Sequence, residues 1–98
     1  MDLEINIADL REITNRIFDH IQNDLKIDRL HIDKDYYWDI PDEYLYDPLK
    51  DPAQFVLGQL YHDWEFLLPL ITDKELAVSL MLIHVAPLLR YIGNKVGQ

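Results

Sequence analysis

The chain reads as a mainly α fold: a small helical bundle of three principal helices, with a short extended or loop-like aromatic segment in the middle. All of it falls in a single domain spanning 1–98. Three observations carry that reading. Apolar residues recur every three or four positions near the start and again after Gly58, the spacing of helices that bury one face. A long apolar region, Leu76 to Leu89, follows a T-x-x-E capping signal. Between these helical stretches the period changes, and nine of the eleven aromatic residues crowd into the segment from Tyr36 to Phe66.

The first helix is expected from about Ile7 to Asp24. Leu10, Ile13, Ile17, Ile21 and Leu25 form its stripe, Phe18 widens it, and Asp9, Glu12, Asn15, Arg16, Asp19 and Asn23 fall largely opposite. Asn6 is placed to cap it, Asp9 puts negative charge in its first turn, and Glu12 precedes Arg16 by one helical turn. From Lys26 the helical spacing is lost. Tyr36, Trp38 and Ile40 then alternate with Tyr37 and Asp39, which suggests a short strand with Trp38 facing inward, ended by Pro41. Asp33 to Asp51 reads as an ordered loop with one helical turn near Asp42 to Tyr46. Its rings would anchor it while its carboxylates stay in water.

Asp51-Pro52-Ala53-Gln54 matches a capping box, but Phe55, Val56 and Gly58 fit a second short strand better, over Phe55 to Leu57. A helix from about Gln59 would use Leu60, Trp64, Leu67, Leu68 and Ile71 as its apolar face and end or bend at Pro69. Thr72-Asp73-Lys74-Glu75 opens the last helix, expected to stop at Gly93-Asn94 with Arg90 in its final turn and a kink at Pro87. Leu76, Leu80, Ile83 and Leu88 share one side, and the remaining circumference is also apolar, which predicts burial on several sides. The first and third helices would pack around the last.

Composition narrows the chemistry. At this length a chain buries about 60–65% of its unfolded surface, enough for one core. There is no cysteine, which excludes disulfides, Cys-ligated zinc and thiol catalysis. Eighteen acids against nine bases leave a net charge of −9, so neither nucleic acid nor an anionic membrane is an expected partner. The first ten residues carry three acids and no base, the reverse of a secretory signal, and Leu76 to Leu89 is short of the roughly twenty residues a membrane span needs. A cytoplasmic protein is expected.

The constellations that could carry chemistry are weak. His62 and Glu65 share a helix face, but a di-metal carboxylate site needs a second Glu-x-x-His copy, and none is present. His84 lies in the apolar heart of the last helix, where a lone histidine is usually a core residue bonded to a carbonyl or hydroxyl, with Ser79 or a tyrosine to serve. Asp33, Asp35 and Asp39 resemble the start of a calcium loop, but Tyr37 and Trp38 stand where a ligand and a glycine are required. The acid pairs Asp42/Glu43 and Asp63/Glu65 lie in charge-rich stretches that favour solvation over acid–base work. No catalytic residue, metal ligand or cofactor is therefore expected.

The ordered pattern YYWDIP, then LYD at Leu45 to Asp47, Pro52, GQL at Gly58 to Leu60 and DWEFL at Asp63 to Leu67 resembles that of small uncharacterised bacterial proteins. The likeness covers Tyr36 to Leu68 and implies a bacterial, cytoplasmic, single-domain protein. It supplies no catalytic residues.

The leading expectation is a non-catalytic interaction protein that binds a basic partner protein through Asp35, Tyr37, Asp39, Asp42, Glu43, Tyr44 and Asp47. An immunity-type or antitoxin-like inhibitor of a cationic nuclease is one member of that class. Two alternatives stand beside it. One is a small metal-assisted hydrolase built on His62, Glu65 and His84. The other is a structural homodimer driven by surplus apolar surface on the last helix.

Overall fold

The computed structural model describes residues 3–51, 54–72 and 78–96. The two capping boxes at 51–54 and 72–75, like Leu76, rest on residues outside those described. The protein is mainly helical with a short two-stranded sheet. It divides into two compact units, Met1–His31 and Ile32–Gln98.

The first unit is the expected helix. In α1 (Ile7–Asp19), the Asp9 amide donates to Asn6 Oδ1 at 3.2 Å and so removes one of the unpaired donors at the helix start. Arg16 meets Glu12 at 3.2 Å; both are exposed, so the pair contributes at most about 0.5 kcal/mol. The helix then widens into a π-type turn, His20–Asp24, where the Leu25 amide donates to the His20 carbonyl at 3.0 Å. Lys26 takes a left-handed φ of 60°, letting the Ile27 amide reach back to the Ile21 carbonyl at 3.0 Å. That closure is the one glycine usually provides at a helix end. Ile21 is half-buried, whereas Leu10, Ile13, Ile17 and Leu25 remain exposed.

The second unit begins with a ribbon. Strand β1 (Tyr36–Asp39) pairs antiparallel with β2 (Val56–Gln59), setting Tyr36 opposite Gln59, Tyr37 opposite Gly58, Trp38 opposite Leu57 and Asp39 opposite Val56. The strand expected at Phe55 to Leu57 thus starts one residue later and reaches Gln59. Alternation holds, but the faces are reversed: Tyr37 turns inward, and Trp38 is 71% exposed. The reason is chemical. Tyr37 has a buried partner for its hydroxyl, and Gly58 leaves room for its ring, whereas Trp38 has neither. One helical turn, α2 (Asp42–Leu45), follows Pro41 as expected.

Helix α3 (Leu60–Leu67) is started from a distance. Its preceding residue, Gln59, makes no side-chain cap. Instead the Asp35 carbonyl accepts from the Leu60 amide at 2.8 Å, Asp35 Oδ1 accepts from the Tyr61 amide at 2.7 Å, and Oδ2 accepts from Gln59 Nε2 at 2.7 Å. One aspartate therefore joins β1 to the start of α3 and satisfies two of its first amides. At Pro69 the helix tightens into a 3-10 segment, Leu68–Ile71, as a residue without an amide hydrogen requires.

The inward face of α3 is displaced from the one expected. Leu60 (3% exposed) and Asp63 (4%) are buried, Leu67 and Leu70 are half-buried, and Trp64 is 47% exposed. Helix α3 packs on α4 (Val78–Val96). There too the phase differs: Met81, His84, Val85, Leu88, Tyr91 and Ile92 are the less exposed positions, while Leu80 and Ile83 face water. Burial on several sides is not found, since no described residue of α4 is fully buried. The helix also runs past Gly93 and Asn94 to Val96, so Lys95 and not Arg90 is the base of its last turn. The Tyr91 hydroxyl donates to Asp33 Oδ1 at 2.6 Å and Lys95 Nζ to Asp33 Oδ2 at 2.8 Å. These bonds flank Gly93 and join the helix on either side of it to Asp33. Among the described residues no helix is long and apolar enough to cross a membrane.

Candidate functional site

Two groupings of polar side chains lie in the second unit, one turned inward and one outward. The inward one is centred on Asp63 in the first turn of α3, a favourable place for a carboxyl beside the helix amides. Asp63 Oδ2 accepts the Tyr37 hydroxyl at 2.7 Å, and Oδ1 accepts His84 Nδ1 at 2.6 Å. With the carboxyl as acceptor, His84 carries its hydrogen on Nδ1 and leaves Nε2 as the second ring position. The Phe66 ring stacks on the imidazole, centroids 4.2 Å apart. A strand and two helices therefore converge on one buried carboxyl.

Gly58 makes this convergence possible. A Cβ at this position would collide with Tyr37 Cζ, Cε2 and the hydroxyl oxygen, so the ring crosses where a side chain would stand. Burial first, and then the Asp63 bond and charge, push the Tyr37 phenol well above its ordinary value. A folded-state value raised in this way stabilises the fold fully below the unfolded value of about 10 and progressively less above it, because the unfolded chain releases that proton first. We expect wild-type protein to lose stability between about pH 10 and 12 more steeply than Tyr37→Phe. Urea midpoints across that range check this, and parallel curves would contradict it.

Sequence reasoning expected Asp63 in water beside a buried Trp64, and the arrangement is the reverse. Its signal was the spacing Leu60, Asp63, Leu67 and Leu70, which puts an acid on the apolar face opposite a helix with a histidine in its own. Nor is His84 bonded to Ser79 or to a carbonyl among the described residues. Its partner is the Asp63 carboxyl. His62 and Glu65 are exposed, and among the described residues no three His, Cys, Asp or Glu side chains gather as a metal ion would need. His62, Glu65 and His84 are thus not brought together.

The outward grouping lies between the strands. Of the residues expected there, Asp35 and Tyr37 give their polar atoms to internal bonds with Gln59 and α3. Asp39, Asp42, Glu43 and Asp47 are exposed, as is Asp51, and among the described residues none of the five makes an ion pair. Asp47 Oδ1 accepts the Leu49 amide at 3.2 Å, which fixes a local turn. Tyr44 is half-buried, with Lys50 Nζ 5.0 Å from its ring centroid. Asp33 is different: Lys95, then Tyr91, hold its carboxyl down at about 2, so its charge is matched within the unit.

Scanned against protein-family models, curated proteins and solved structures, the chain matches none of them.

Proposed function

We propose that this is a non-catalytic acidic interaction protein that binds a basic partner protein through Asp39, Asp42, Glu43, Tyr44, Asp47 and Asp51. One observation carries the reading: five carboxylates stand exposed within thirteen residues, Asp39 to Asp51, without an ion pair among the described residues. Such a cluster attracts cationic surfaces and speeds their encounter. Asp35 supports it indirectly by tying the segment's first strand to α3. Within this class, an immunity-type or antitoxin-like inhibitor of a cationic nuclease suits a small acidic bacterial protein of cytoplasmic location.

The test is capture from the native host at low and moderate salt, comparing wild type with Asp42→Asn/Glu43→Gln/Asp47→Asn. A basic partner retained at low salt and lost by the triple variant is the expected result. A partner without a basic surface, or one held equally by the variant, rejects the proposal.

A second reading, a homodimer, draws on the exposed apolar side chains of α4, among them Val78, Leu80, Leu82, Ile83 and Leu89. Light scattering that finds only monomer at high concentration removes it.

A further inference from the structure

The register of the ribbon sorts its side chains onto two faces. Tyr37, Gly58, Asp39 and Val56 share one; Tyr36, Gln59, Trp38 and Leu57 share the other. The first face is engaged by Asp63 through Tyr37. On the second, Tyr36, Trp38 and Leu57 are all exposed, and the equally exposed Phe55 sits in a T-shaped contact with Trp38, centroids 6.0 Å apart. That contact leaves the indole largely uncovered. Exposed aromatic side chains in a contiguous patch are unusual on a surface that binds nothing, and tryptophan and tyrosine are the residues most enriched among binding hot spots.

The charge of the segment that joins the two strands selects the occupant of this second face. Asp39 ends β1 on the first face, Asp42 and Glu43 follow it by three and four residues, and Asp51 precedes Phe55 by four residues; all are exposed. A second copy of the chain, itself carrying a net charge of −9, would set like charges against these acids. A cationic segment meets none of that repulsion. Arginine fits better than lysine, because its planar guanidinium can lie on an indole face while its remaining donors reach a carboxylate. The same segment already places one cation over a ring, Lys50 over Tyr44.

We infer that the outward face of the β1–β2 ribbon is the contact surface for an arginine-bearing segment of the partner, with Trp38 as its anchor. The inference rests on the acidic-interface reading and adds to it the anchoring residue and the partner's side-chain chemistry.

The experiment uses full-length Trp64→Phe, in which Trp38 is the one remaining tryptophan of two. The probes are two synthetic peptides of equal length and charge, one carrying arginines and the other lysines. The arginine peptide should shift Trp38 emission and bind several-fold more tightly than the lysine peptide. Trp38→Val, which keeps a strand-forming residue at an exposed position, should weaken binding by about tenfold in calorimetry. If the arginine peptide binds with Trp38 emission unchanged, or if both peptides bind equally, the ribbon inference falls and the acidic interface stands. If neither peptide binds, both fall.

Discussion

Asp63→Ala is expected to destabilise the Ile32–Gln98 unit by about 3–5 kcal/mol, measured as a drop in urea midpoint. The size follows from what the substitution leaves behind. The Tyr37 hydroxyl and His84 Nδ1 both lose their acceptor, and each orphaned donor costs about 1–3 kcal/mol where water does not replace the bond. A whole domain of this size has only about 5–15 kcal/mol to lose. Asp63→Asn should fall between wild type and alanine, because an amide retains one oxygen but points a donor at one of two donors. Removing Tyr37 as well should recover part of the loss, since one orphan disappears with it. A cost under about 1 kcal/mol for Asp63→Ala would mean that this carboxyl does not organise the unit.

The second large effect is expected at Gly58. The Gly58→Ala methyl would overlap the Tyr37 ring, so the ring must leave its position over the ribbon and with it the bond to Asp63. The loss should be about 2–3 kcal/mol, close to that of removing the tyrosine hydroxyl together with part of its packing. In a Tyr37→Ala background the same change should become neutral or stabilise by up to about 1 kcal/mol, because alanine gives up less backbone freedom than glycine on folding. That reversal of sign separates a steric role for Gly58 from a conformational one. Equal losses in both backgrounds would refute the steric account.

These two sites also mark where the sequence stops being legible. The first helix could be read almost to its ends, because its stripe, its Asn6 cap and its Glu12–Arg16 pair are all local. The two short strands, the turn at Asp42 and the break at Pro69 were legible for the same reason, though not that the strands pair. Phase was not. Tyr36, Tyr37 and Trp38 are amphipathic neighbours, and alternation says that they take opposite faces without saying which is inner. That choice depends on a carboxyl 26 residues away. Reading Trp64 as the buried member of its helix failed likewise, because hydrophobic size favoured the indole while a tyrosine and a histidine together favoured Asp63. The helix end at Gly93 was missed because Asp33, some sixty residues earlier, holds both Tyr91 and Lys95. For the outward acids, composition was enough to locate the segment, and only coordinates could separate Asp35, bonded inward, from Asp42 and Glu43.

The Asp33 clasp has a consequence for the order in which the chain folds. Its two partners lie 58 and 62 positions downstream, whereas the backbone bond that opens α1, from the Leu10 amide to the Asn6 carbonyl, spans four. Closing a longer loop costs more entropy, and contacts between distant positions form late. The leading helix can therefore take shape in microseconds, while Asp33, two residues before the aspartate that ties β1 to α3, is clasped only once the final turn of α4 exists to receive it. On a ribosome, that fastening would wait for Lys95 to emerge.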